Sequence, residues 1–202
     1  KSINKECTTN IINRLLKHSD GNVYAFCNRS VFKCSMNQTV ETVFPDIAIP
    51  SPTYSVAQAP DKDIYIGTES NGLYIYSENW KLKKHVPIDG IIATILPDNN
   101  GDIWLGLDET GICLFNKNKQ TFTWLHKDNT NLNNNSIRTF VSYGDSSILV
   151  GTFRGLNILN KKELTITPAN INIAGKGGLS HYSIHSMLID KDQTLWIGTY
   201  SA

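Results

Sequence analysis

Short apolar runs alternate with polar turns along the whole chain, and five of the runs align with one another. They are Val23-Tyr24-Ala25-Phe26-Cys27, Ile64-Tyr65-Ile66-Gly67-Thr68, Ile103-Trp104-Leu105-Gly106-Leu107, Ile148-Leu149-Val150-Gly151-Thr152 and Leu195-Trp196-Ile197-Gly198-Thr199. Apolar runs this short, bounded by turn residues, read as strands covered on both faces. Measured from Tyr24 to Tyr65, Trp104, Leu149 and Trp196, they recur at intervals of 41, 39, 45 and 47 residues. That spacing is the length of one four-stranded propeller blade.

A second block follows the first four runs at a nearly constant offset: Ser30-Val31-Phe32, Gly72-Leu73-Tyr74-Ile75-Tyr76, Gly111-Ile112-Cys113-Leu114-Phe115 and Gly155-Leu156-Asn157-Ile158-Leu159. Each run and its block form a hairpin, with a glycine at the turn in all but the first copy. An apolar strand ending in an Asp-, Asn- or Gly-rich turn precedes each run, and a more polar strand follows each hairpin. Lettered a to d from the axis outward, these strands give blades at 11–44, 54–87, 91–126 and 136–168 and a half-blade at 184–202. No segment of useful length has a helical period, so the expected fold is all-β. Residues 1–202 are read as one partial β-propeller of about four and a half four-stranded blades, belonging to a larger ring. Gly67, Gly106, Gly151 and Gly198 read as structural glycines, and Trp104 and Trp196 as core anchors of their b strands, whereas Trp80 and Trp124 fall near outer strands and are expected between blades.

The combination of Gly101-Asp102-Ile103-Trp104-Leu105-Gly106, Gly111-Ile112-Cys113-Leu114-Phe115 with Phe122, and Leu132-Asn133-Asn134-Asn135-Ser136-Ile137 resembles the two-component regulator propeller repeat. Gly151-Thr152, Gly155-Leu156-Asn157, Leu179-Ser180, Ile184 and Leu195-Trp196-Ile197-Gly198-Thr199 repeat the pattern. The resemblance implies the periplasmic sensor half of a hybrid two-component regulator of the kind found in gut Bacteroides-type bacteria. It implies two seven-bladed propellers, an immunoglobulin-like domain, one membrane helix and a cytoplasmic histidine kinase. The implied ligands are oligosaccharides from complex polysaccharides, and the implied location is the periplasmic side of an inner-membrane protein.

Composition narrows the partners. Only 18% of the residues are charged and the formal net charge is +1, so no basic field exists to hold a phosphate backbone, and nucleic acid is excluded as a partner. No apolar run approaches the roughly 20 residues needed to span a bilayer, so this segment is expected to make no membrane contact. Cys7, Cys27, Cys34 and Cys113 match no zinc or redox spacing. Cys27 and Cys34 flank a short turn, which leaves open both a cross-strand disulfide and two buried thiols. Cys113 reads as core.

Propeller geometry gathers the b-to-c turns and the d-to-a connections on one face, at the mouth of the central channel, where ligands bind. The b-to-c turns carry Glu69, Asp108, Glu109 and Arg154, with Tyr200 at the equivalent point of the half-blade. The d-to-a connections are residues 126–136 and 167–183, the second holding His181 and a Gly175-Lys176-Gly177-Gly178 run. Tyr54, Arg138 and His185 begin their a strands. Aromatic rings beside charged groups suit the apolar faces and hydroxyl edges of a sugar; the same residues could equally line a wet channel or, for Tyr54, join the core. His181 and His185 straddle a loop and a strand, not a helix face, so no metal site and no cofactor is expected.

The function read from these residues is ligand sensing without catalysis. The enzyme alternative is a propeller-type polysaccharide lyase with His181 or His185 as base and Arg138 or Arg154 neutralising a carboxylate. A protein-interaction platform is the third class. Four blades and half of another leave an unpaired apolar edge at Leu195-Trp196-Ile197, so the remaining blades are expected from further sequence of the parent protein, with a homodimer as the other source of pairing.

Overall fold

A computed structural model describes residues 12–27, 30–35, 40–42, 49, 51–169 and 178–200. It is all-β, with no helix among the described residues, and its chain forms two compact units, 1–99 and 100–202. In the first, strands β1 (Arg14–Lys17), β2 (Val23–Cys27), β3 (Ser30–Cys34) and β4 (Val40–Thr42) form one antiparallel meander. A second meander contains β5 (Thr53–Gln58), β6 (Ile64–Thr68), β7 (Leu73–Tyr76) and β8 (Leu82–Val86), and β9 (Ile92–Pro97) follows.

The two meanders pack through their b strands. Tyr24 and Phe26 of β2 join Ile64 and Ile66 of β6, Tyr74 and Tyr76 of β7, and Trp80 in one buried cluster. Ala25 and Cys27, alternating with them, pack with Phe32 on the opposite face. This two-sided burial explains why β2 and β6 lack polar alternation. The outer strand β8 is exposed at its first four residues and buried only at Val86. Its lysines blunt the sheet edge.

In the second unit, β10 (Asp102–Leu107), β11 (Gly111–Asn116) and β12 (Thr121–Leu125) are consecutive antiparallel strands. A complete meander follows in β13 (Ile137–Tyr143), β14 (Ser147–Thr152), β15 (Gly155–Asn160) and β16 (Ile166–Pro168), and then the pair β17 (Ile184–Ile189) and β18 (Leu195–Thr199). Leu149, Leu156 and Ile184 form a core with Met187, Leu195 and Ile197 packed against it.

The asparagine-rich lead into β13 is a latch on the β14–β15 turn. Asn133 Oδ1 accepts hydrogen bonds from Thr152 Oγ1 at 2.9 Å and Asn157 Nδ2 at 2.8 Å, and Asn133 Nδ2 donates to the Arg154 carbonyl at 3.1 Å. Asn157 is fully buried, and its Oδ1 accepts the Asn133 N–H at 3.1 Å. A polar side chain at 157 is tolerated inside because the latch satisfies it.

Trp104 is 1% exposed, as read, but Trp196 is 61% exposed. It pairs across the strands with Leu188, also 61% exposed, and no strand pairs with the other edge of β18 among the described residues. Trp80 lies between the first two meanders, as read, whereas Trp124 is 36% exposed on the outer strand β12. Cys27 and Cys34 are not bridged to each other: the β2–β3 register pairs Cys27 with Ser30 and Val23 with Cys34, placing the cysteines at opposite ends of the hairpin. Cys113 is buried, and burial pushes its thiol up to about 12, far from a reactive thiolate. Cys7 and the glycine run at 175–177 lie outside the described residues.

Candidate functional site

The site is built by one backbone device used three times. In β5, β13 and β17 the pairing with the following b strand slips by one residue, between Thr53 and Ser55, Ile137 and Thr139, and Ile184 and Ser186. The extra residues are Tyr54, Arg138 and His185. Such a bulge leaves one residue without a ladder partner and re-aims its side chain.

The slip lies opposite the Gly-Thr step of the b strand each time. A methyl group on Gly67 would collide with Ser55 Oγ and with Ile92 Cγ2 at 2.7 Å; on Gly151 it would meet Thr139 Cγ2 and Ile184 Cγ2, both at 2.7 Å; on Gly198 it would collide with Ser186 Oγ. The hydroxyl-bearing residue after each bulge therefore sits directly over the glycine. The threonine then shapes the turn: Thr68 Oγ1 donates to the Gly72 carbonyl at 2.8 Å, and Thr152 Oγ1 lies 2.9 Å from that of Gly155. The next residue ties the turn back to the a strand. Glu69 N–H donates to the Pro52 carbonyl at 3.0 Å, Phe153 to Ser136 at 3.0 Å and Tyr200 to Ser183 at 3.1 Å.

In consequence each bulged side chain meets the residue after the threonine. In the first unit, Tyr54 and Glu69 line a cleft of about 260 Å³ with Asn13, Arg14, Pro52 and Thr53. Arg14 Cζ stands 5.8 Å from the Tyr54 ring centroid, a cation–π distance. In the second unit, Arg138 Cζ lies 5.9 Å from the Phe153 ring centroid, while its Nη1 contacts Asp108 Oδ2 at 3.2 Å. Only one limb of the guanidinium engages Asp108: Asp108 Oδ1 and Arg138 Nε are buried without a hydrogen-bond partner among the described residues. His185 lies 5.4 Å and His181 6.2 Å from the Tyr200 ring, with His181 Nδ1 accepting the Ser183 N–H at 3.0 Å.

Of the residues expected at the site, Tyr54 and Glu69 share the cleft in the first unit. In the second, Arg138 and Asp108 are paired, and His181, His185 and Tyr200 are gathered. Glu109 and Arg154 stand exposed on their turns, Glu109 with a left-handed φ of 65°. Arg14, Asn13 and Phe153 escaped the sequence reading. Phe153 was findable, because it occupies the slot after Thr152 that Glu69 and Tyr200 hold after Thr68 and Thr199. Among the described residues no three His, Cys, Asp or Glu side chains come together as metal ligands would. The arrangement offers aromatic faces, cations and carboxylates for binding.

Residues 178–201, covering β17 and β18, match the family model described as two component regulator propeller. The match is confined to the length of one repeat. Its fold is that of the extracellular domain of a protein assigned to a hybrid two-component system of B. thetaiotaomicron, with 20% identity and a TM-score of 0.76 over 94% of this chain and 25% of that one. A second such domain from B. thetaiotaomicron shows 24% identity and a TM-score of 0.72, covering 96% of this chain and 26% of that one. PorZ, a surface component of the type-IX secretion system of Porphyromonas gingivalis, shows 17% identity and a TM-score of 0.66 over 93% of this chain and 31% of that one. The chain spans about a quarter of the length of the two B. thetaiotaomicron domains. No curated protein sequence matches it significantly.

Proposed function

We propose that this chain is part of an extracytoplasmic ligand-sensing propeller of a hybrid two-component signalling protein, and that its ligand is an oligosaccharide released from a polysaccharide. The observation that carries the reading is the repeated pairing of a bulged residue with the turn beyond the Gly-Thr step. It sets an aromatic ring beside a charged or imidazole group in each of three repeats: Tyr54 with Glu69, Arg138 with Phe153, His185 with Tyr200. A sugar presents an apolar ring face and a hydroxyl edge, which such pairs complement. The repeat match at 178–201 and the similarity to extracellular domains support the signalling context and a periplasmic location. The remaining blades would come from further sequence of the same parent protein.

The test uses the complete extracellular region and a panel of neutral and uronic-acid oligosaccharides, following melting temperature and ultraviolet absorbance together. A raised melting temperature with unchanged absorbance is the expected result. A new unsaturated-product chromophore would reassign the protein as a lyase, and a flat response across the panel would move it to a protein-interaction platform.

A further inference from the structure

The three bulges share more than their position. Their surroundings are chemically constant, while the bulged residue itself changes. Before each bulge stands Thr53, Ile137 or Ile184, all buried. After it comes a hydroxyl residue, Ser55, Thr139 or Ser186, and opposite lies Gly67-Thr68, Gly151-Thr152 or Gly198-Thr199. In the slot itself stand a phenol, a guanidinium and an imidazole. The first meander departs from this sequence pattern. Its b strand has Phe26-Cys27 in place of Gly-Thr, and the pairing of β1 with β2 starts at Arg14 opposite Phe26, short of the step at which the other three strands slip.

We infer that the bulged residue of each a strand is the ligand-reading position of its repeat, so that Tyr54, Arg138 and His185, each with the residue after its Gly-Thr step, determine which sugar is bound. The inference rests on the sugar-sensing reading and narrows it from a face to one slot per blade. The Gly-Thr step and the hydroxyl residue hold the backbone shape, and the slot residue stands outside the paired register, so its side chain can change with the pairing on either side kept. A scaffold that fixes the backbone and frees one side chain per repeat alters specificity without refolding. The same slot in the third repeat, within Ile92-Ala93-Thr94, holds alanine, and that repeat is expected to read nothing through it.

The experiment exchanges the slot residues in the complete extracellular region. Arg138→Ala, His185→Ala and the double exchange Arg138→His with His185→Arg are compared with Glu109→Ala and Arg154→Ala. Each variant is titrated with the panel oligosaccharide that gives the parent its largest melting shift. The expected result is at least a tenfold loss of affinity in the single slot variants, a changed panel ranking in the exchange, and melting temperatures within about 3 °C of the parent. Slot variants that melt far lower, as Gly151→Val should, would show these residues to be structural and overturn the inference. Unchanged affinity in the slot variants alongside losses in Glu109→Ala or Arg154→Ala would also overturn it while leaving the sugar-sensing reading intact. A parent protein that answers no oligosaccharide in the panel overturns both.

Discussion

Asp20 shows how one turn residue acquires a pH signature. Burial favours its neutral acid and is the largest single influence. It is outweighed by the Asn22 backbone N–H at 2.9 Å, the Tyr24 hydroxyl at 2.8 Å, and the Asn22 and His18 side chains, which together hold the carboxyl well below the usual carboxylate range. Asp61, Asn100 and Asp190 repeat its backbone role, each accepting the N–H of the residue two positions on. Asp190 is lowered first by the Trp196 indole at 2.7 Å and then by the Thr194 N–H. A carboxyl whose folded pKa lies below its unfolded value contributes stability that is present above the unfolded pKa, about 4, and is lost as pH falls below it. Asp20→Asn should therefore be less stable than the parent at pH 6, with the gap narrowing as pH falls from about 4 toward 2. Urea titrations of both proteins across that range would show it; a gap independent of pH would refute the role given to ionised Asp20.

The bulge is the element-scale feature, and its cost falls on the glycine opposite. Gly151 has no room for even a methyl group, since Thr139 stands over it from the same sheet and Ile184 from the neighbouring strand. Gly151→Val should lower stability by roughly 1–3 kcal/mol through overpacking. The fall should appear as a lower urea midpoint at unchanged slope. Thr139→Ala in the same background should recover part of the loss by removing one of the two colliding groups. Failure of that rescue would place the strain on the Ile184 side or in the backbone.

At the scale of the whole molecule, the conspicuous surface is the cross-strand pair Leu188 and Trp196 on β17 and β18. Large exposed apolar side chains side by side, next to a strand edge that no strand pairs among the described residues, favour association with another strand or chain. A net charge of +1 supplies little repulsion to oppose it. The 202-residue segment, prepared alone, should therefore self-associate at micromolar concentration, and Leu188→Glu with Trp196→Lys should shift it toward the monomer. Size-exclusion chromatography with light scattering reads the outcome; a wild-type segment that stays monomeric would show that this surface is not adhesive.

Strand number, strand class and repeat period were legible from the chain alone, because burial on both faces writes continuous apolar runs and each turn needs its Asp, Asn or Gly. That information is local, and it extended to the candidates Tyr54, Arg138 and His185, chosen for standing where a strand begins. Three things required the tertiary structure. The one-residue slip that singles out those positions depends on the register between two strands, which no single run encodes. Arg14 reaches the Tyr54 ring, and Asp108 the Arg138 guanidinium, only through packing between residues 40 and 30 positions apart. Trp196, whose sequence context matches that of buried Trp104, is exposed because burial is decided by what packs against a strand and not by the strand's own residues.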